Sequence, residues 1–154
     1  MTDVRIVDAL RGDAEAILAL QKLAYEREAR RYNDWTIPPL VESVDAVRRQ
    51  IAEHVVLKAL VDGRLVGSAR GVATAGICEV CRLSVDPALQ RRGIGSALIA
   101  AIEARFPAID AFELFTGDRS IENLRLYERH GYVETHRTPV SPAVSLVYLR
   151  KARR

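Results

Sequence analysis

Long apolar runs are missing from this chain of 154 residues. No stretch reaches the ~18 consecutive apolar residues of a membrane helix, so no membrane partner is expected. The start, MTDVRIVDAL, has no basic segment followed by an apolar one, so no signal peptide is expected and the cytoplasm is the expected compartment. Cysteine is scarce: Cys78 and Cys81 are the two present. Their C-x-x-C spacing has no second pair, and a structural zinc wants four ligands. Three apart in a strand, the two side chains point to opposite faces, so both read as packing thiols and no metal is expected. Strong charge of one sign is also lacking. A net charge of +3 suits an anionic ligand but falls short of the basic stripe of a nucleic-acid binder. The basic end, Arg150-Lys151-Ala152-Arg153-Arg154, reads as a solvated tail. Repeats, low-complexity tracts and linkers are absent, and the length suits a single domain over residues 1–154 with a substantial core.

What is present is an alternation of strand and helix patterns. Val4 to Val7 alternates as a first strand. Asp13 can cap a helix to about Arg30, with Ile17, Leu20 and Ala24 on one face. Tyr32 to Pro39 is aromatic, polar and stopped by two prolines, which reads as a loop or an irregular helix end. A second helix is expected from about Ser43 to Glu53, with Val44, Val47 and Ile51 inward. Val55–Val61, Arg64–Thr74 and Ile77–Val85 read as a meander joined by Asp62-Gly63 and Ala75-Gly76. Asp86-Pro87 ends the third of these strands. A glycine-containing loop and a helix to about Phe106 follow, with Leu98, Ile99 and Ile102 facing the sheet. Phe112–Phe115 is a short strand. Ser120 can cap a helix through about Arg129, and Gly131 suits its C′ position. Two strands, about Tyr132–Arg137 and Ser145–Arg150, finish the chain. The expected fold class is α+β: a mixed, mostly antiparallel sheet of six or seven strands flanked by about four helices.

The loop Gln90-Arg91-Arg92-Gly93-Ile94-Gly95-Ser96 sits where a helix begins. Free backbone N–H groups and the helix dipole favour an anion there, and glycine lets the backbone approach it closely. No G-x-x-x-x-G-K-[ST] string is present, which removes a P-loop. Gly93-Ile94-Gly95 starts like G-x-G-x-x-G, but Leu98 stands where the third glycine belongs, and this disfavours a dinucleotide site.

Gln90-Arg91-Arg92-Gly93-Ile94-Gly95 resembles the Q/R-x-x-G-x-G/A motif of the GNAT acetyltransferases, which use acetyl coenzyme A. Val85-Asp86-Pro87 before it and the helix after it are similar to that family. So is the later run Glu122 to Tyr132, with its asparagine, its tyrosine and its glycine-aromatic pair. The element order resembles the acyl-CoA N-acyltransferase fold along nearly the whole chain.

The resemblance implies that backbone N–H groups of Arg91, Arg92, Gly93, Ile94, Gly95 and Ser96 hold a pyrophosphate, with Gln90 in the same motif. It implies that Leu83 and Val85 pair with the pantetheine arm beside a bulged, splayed strand, where a backbone N–H near Leu83 faces the thioester oxygen. Asn123 and Tyr127 stand one turn apart on a helix face. By resemblance Asn123 holds the pantetheine and Tyr127 protonates the leaving thiolate; the plainer reading of Tyr127 is packing under the sheet. An acceptor amine with a pKa near about 10.4 must lose a proton before attack. Histone-type members of the family carry a catalytic glutamate at about the spacing that separates Glu79 from Gln90. Glu79 is therefore the candidate base, or else a solvated strand residue, with Asp34 and Glu42 as weaker alternatives. Glu79 shares the parity of Cys81 and Leu83 unless a bulge resets it.

The implied activity is transfer of acetyl from acetyl coenzyme A, a cosubstrate, to a primary amine by direct attack in a ternary complex. An inactive coenzyme-binding regulatory module and an acyltransferase for longer acyl groups are the alternatives. The acceptor is a small-molecule or a protein amine, and its pocket is expected from residues 25–40 and the last two strands. Tyr32, Asp34 and Trp35 are the named candidates there; Trp35 serves either as a pocket wall or as a staple over the core. No nucleic-acid partner is expected, and an exposed edge strand would suffice for a homodimer.

Overall fold

The structure is a computed structural model and describes residues 3–153. Its strands are β1 (Arg5–Asp8), β2 (Val55–Val61), β3 (Arg64–Thr74), β4 (Ile77–Val85), β5 (Ala111–Gly117), β6 (Val133–Ser141) and β7 (Val144–Ala152). Its helices are α1 (Ala14–Tyr32), α2 (Pro38–Val41), α3 (Val44–Glu53), α4 (Ile94–Ala104) and α5 (Ile121–Arg129). The strands form one sheet in the order β1-β2-β3-β4-β5-β7-β6, antiparallel except where β4 meets β5. The expected α+β class and the meander agree with this. Both tight turns carry positive φ at their two central residues, Asp62 and Gly63, then Ala75 and Gly76. Such turns match the natural strand twist and hold the register.

The sheet separates two apolar layers. Ile17 of α1 and Val47 of α3 pack on Val56 on one face. On the other, Ile94, Leu98, Ile99 and Ile102 of α4 meet Leu57, Ala59, Ala69, Cys78 and Val80, and Tyr127 and Tyr132 continue this core over Phe112 and Leu114. Ser43 caps α3, its hydroxyl accepting from the Ala46 N–H at 3.1 Å. α5 ends in a Schellman turn: the Tyr132 N–H reaches the Tyr127 carbonyl and the Gly131 N–H the Glu128 carbonyl, with Gly131 at φ 91°.

Several expectations need correction. Asp13 does not cap α1. Its carboxylate turns back to the Leu10 N–H and takes Lys58, both at 2.7 Å, because a single 3-10 turn precedes the helix. Ser120 does not cap α5 with its side chain either; its hydroxyl goes to Glu28. The two prolines do not merely stop α1; Pro38 opens the short helix α2, since a first-turn position needs no N–H. β6 runs through Pro139, which an edge strand tolerates. The basic end is no loose tail: Lys151 reaches Glu103 at 2.8 Å, Arg150 reaches Glu113 at 3.4 Å, and Arg153 donates to the Glu103 carbonyl at 3.0 Å. Arg154 lies outside the described residues.

Candidate active site

The parallel pairing of β4 with β5 covers Ile77–Ala111, Cys78–Phe112 and Glu79–Glu113 only. Beyond it the strands part. On its other side, β4 changes register against β3: Arg70 faces Cys81, but Ser68 faces Ser84. The additional residue is a bulge at Arg82, whose φ is 53°. The bulge decides the parity that periodicity leaves open. Glu79 and Cys81 share the face of Arg70, which α1 covers, whereas Leu83 and Val85 lean toward Gly95 of α4 on the opposite face.

A cleft of about 480 Å³ opens beside the part of β4 that lies beyond its pairing with β5. Leu83 and Val85 line it from β4, Gln90, Arg91, Gly93, Ile94, Gly95 and Ser96 from the loop, and Asn123 from α5. Left-handed backbone at Arg91 (φ 66°) and Gly93 (φ 81°) curls the loop, and Gly93 is the N-cap of α4. By helix geometry the first N–H groups of α4 then point out of the helix end, unbonded within it, as an anion requires. These features fit a phosphate-bearing ligand. Arg92 is exposed and outside the lining set. Ser96 meets the His130 imidazole at 2.5 Å, which ties the start of α4 to the end of α5. Burial holds His130 below its ordinary value, against the pull of Glu103.

Tyr127 is buried at 7% exposure and packs edge-on against Tyr132, ring centroids 6.3 Å apart. Burial pushes its phenol well above the ordinary range, so it stays protonated across the physiological range. Asn123 donates weakly to Thr116 at 3.4 Å and keeps contact with the cleft. Glu79 is exposed on the α1 face of the sheet and is not among the lining residues.

The three acceptor candidates stand elsewhere. The Tyr32 hydroxyl accepts from the Arg119 N–H at 2.7 Å and donates to Asp118 at 3.3 Å, so it straps α1 to the end of β5. Gly117 makes room, since a Cβ there would overlap the Tyr32 ring and hydroxyl. Asp34 turns on its own loop, accepting from the N–H and the hydroxyl of Thr36. Trp35 is half exposed. The α1 residues that do line the cleft are Ala24, Tyr25, Arg27 and Glu28. Tyr25, Arg27 and Glu28 fall within the stretch 25–40 from which the acceptor pocket is expected, although none of the three is among the candidates named there. Burial pushes Tyr25 up to about 12, against the lowering pull of Arg82. Glu28 accepts from Ser120 at 2.5 Å and from Arg31 at 2.9 Å.

Glu42 fails as a base. Both its oxygens accept from Arg70, at 2.7 and 3.0 Å, and Gln21 adds a third bond at 2.9 Å. Burial alone would raise its pKa, but these bonds outweigh burial and hold it down at about 2.

The family model described as "Acetyltransferase (GNAT) family" matches residues 15–132. The chain belongs to this family. The structure is similar to the ribosomal-protein-S18-alanine N-acetyltransferase of Escherichia coli, with TM-score 0.80 and 15% identity over 98% of this chain and 94% of that one. It is similar to the PaiA N-acetyltransferase of Thermoplasma acidophilum in complex with coenzyme A, with TM-score 0.79 and 16% identity over 95% and 98%. It is also similar to YncA of Salmonella typhimurium, a putative acetyltransferase with acetyl-CoA, with TM-score 0.76 and 18% identity over 99% and 95%. At these identities the likeness establishes the acyl-CoA N-acyltransferase fold. No curated protein sequence gives a significant match. No helix among the described residues is long and apolar enough to cross a membrane.

Proposed function

We propose that this GNAT protein transfers the acetyl group of acetyl coenzyme A to a primary amine. The observation that carries the reading is the cleft that runs from the left-handed glycine loop at the start of α4 along Leu83 and Val85, the part of β4 beyond its pairing with β5, to Asn123 of α5. Acetyl coenzyme A would supply the acetyl group as an activated thioester. The N–H groups of residues 91–96 take its pyrophosphate, with Arg91 adding charge-assisted contacts. Leu83, Val85 and Asn123 hold the pantetheine arm. The backbone N–H near Leu83, freed by the gap, faces the acyl oxygen and stabilises negative charge there.

The amine attacks the acyl carbon directly, forming the C–N bond as the C–S bond breaks. No acyl-enzyme is required. Tyr127 donates its phenolic proton to the departing sulfur, and the proton that the nitrogen sheds as the amide forms restores the phenol. Glu79 takes the proton of the ammonium from the exposed α1 face of the sheet, through water where the acceptor does not reach it. Holding amine and thioester together in the cleft supplies much of the rate. Two structural neighbours are named as complexes with coenzyme A or acetyl-CoA, which supports the choice of donor.

Calorimetry with acetyl coenzyme A, followed by release of free coenzyme A across an amine panel, tests the reading. Binding with amine-dependent release is expected. Absence of binding overturns it. Binding without release for any amine identifies the regulatory module instead, and faster release from longer acyl thioesters identifies the longer-chain acyltransferase.

A further inference from the structure

Arg82 occupies an unusual position. It is the bulge residue of β4, held at φ 53°, a conformation that long side chains rarely adopt. Its side chain is mostly buried, at 22% exposure, beside Glu42. Arginine stays charged at any ordinary pH, so a buried guanidinium needs an anion and hydrogen-bond acceptors.

The protein supplies half of one. Glu42 is the carboxylate nearest Arg82, and both its oxygens already accept from Arg70. Gln21 binds Glu42 as donor and Arg70 as acceptor, closing that group on itself. Arg82 Nε stands 3.5 Å from Glu42 Oε1 without making a hydrogen bond, and this nitrogen is buried with no partner. Two guanidinia therefore share one carboxylate. From α1, Tyr25 lies close enough to Arg82 for the cation to pull on its phenol, and Tyr25 lines the cleft. From β4, Glu79 and Cys81 share its surroundings. The residue next in sequence, Leu83, lines the cleft. Arg82 itself is not among the lining residues; Tyr25 and Leu83 stand between the spare cation and the cleft and bring it to the cleft wall.

We infer that Arg82 anchors a carboxylate of the acceptor, so that the amine substrate is a small amino acid or another compact amine bearing a carboxylate. The inference rests on the acetyltransferase reading and adds the substrate class to it. A carboxylate on Arg82 completes the partners of the guanidinium in a charge-assisted pair. In a compact amino acid it also fixes the amine within a few bonds of that point, close to the gap. The same cation disfavours a protonated ammonium beside it and so lowers the cost of forming the free amine. A protein N-terminus carries no carboxylate at that separation and leaves Arg82 unpaired.

The test uses the coenzyme A-saturated protein, with N-acetylglycine and N-acetylglycinamide as probes of a carboxylate and its neutral counterpart. Calorimetry is expected to give the acid at least about tenfold tighter binding, the worth of one charge-assisted contact. Arg82→Gln should abolish the difference and Arg82→Lys should retain part of it. In turnover, glycine should outrun glycinamide in kcat/KM by a similar factor. Equal binding of the two probes, tighter binding of the amide, no binding of either, or a preference that survives Arg82→Gln overturns the inference. Coenzyme A titration of each variant reports whether it is folded. Should Arg82→Gln fail to fold, the wild-type ratio and the Arg82→Lys ratio decide. Failure of coenzyme A to bind the wild type overturns the parent reading and this one together. Intact coenzyme A binding without acid preference removes this one alone.

Discussion

The backbone N–H of Arg119 donates to the hydroxyl of Tyr32 at 2.7 Å, across 87 residues of sequence. This bond, with the guanidinium of Arg119 stacked 4.6 Å over the Tyr32 ring, fixes the loop from which α5 starts. Tyr32→Phe removes the acceptor and is expected to cost about 1 kcal/mol. Gly117→Ala pushes a methyl into the Tyr32 ring and is expected to cost about 1–3 kcal/mol. Urea denaturation of the two variants measures both. A Gly117→Ala protein as stable as the wild type would show that the ring is free to move aside.

Tyr127→Phe keeps the packing against Tyr132 and removes only the phenolic proton. The expected result is a fall in kcat of about 10²–10⁴, the usual worth of a general acid, with the dissociation constant for coenzyme A changed less than about twofold. Steady-state kinetics beside calorimetry separates the two. Unchanged kcat would make Tyr127 a packing residue alone.

Gly93→Ala places a Cβ on backbone at φ 81°. The space around that position is open, so the penalty is conformational, about 1–2 kcal/mol. Coenzyme A affinity is expected to drop on the order of tenfold if the loop must unwind to relieve it. The melting temperature without ligand should drop by about 2–8 °C, the equivalent of that penalty. Affinity equal to wild type would remove the loop's curl from the binding site.

Acid should unfold this protein partly through Glu42. The folded state holds Glu42 at about 2, below the ordinary 4.5, because Arg70 and Gln21 outweigh burial. A carboxyl depressed by folding stabilises the native state above its unfolded pKa, and that stability is lost as pH falls through the folded one. The wild type should therefore lose stability between about pH 4.5 and 2, and Glu42→Gln should flatten this part of the profile. At neutral pH, Glu42→Ala should cost about 3–5 kcal/mol, since it leaves the Arg70 charge buried without a carboxylate, with only the Gln21 amide oxygen to accept from it. Denaturant midpoints measured across pH test both statements. An unchanged acid slope in Glu42→Gln would refute the assignment.

Local chemistry made the sheet readable. Asp62-Gly63 and Ala75-Gly76 specify tight turns, so β2, β3 and β4 fall on the residues that alternation predicts. The glycine loop at the start of α4 and the one-turn spacing of Asn123 and Tyr127 on α5 are legible because each signal is local; of that pair Asn123 lines the cleft, while Tyr127 is buried and not among the lining residues. What escaped was set by distant partners. Asp13 looks like a cap until Lys58 arrives from β2, and Ser120 until Glu28 arrives from α1. Glu42 looks like a free carboxylate until β3 brings Arg70 to it. Tyr32 has the composition of a pocket wall, yet Gly117 and Arg119 recruit it as a strap. The bulge at Arg82 carries no glycine to announce it, so the parity switch from Cys81 to Leu83 could not be read from periodicity.

The position of β7 between β5 and β6 has a consequence for synthesis. A ribosome releases β5, α5 and β6 before residues 144–152, yet β6 pairs with β7, and β5 gains its antiparallel neighbour from β7. Until that segment emerges, the half of the sheet beneath α5 cannot close, whereas β1 to β4 can already pair. Asn123 and Tyr127 therefore wait, on a nascent chain, for a strand that contributes nothing to the cleft lining itself.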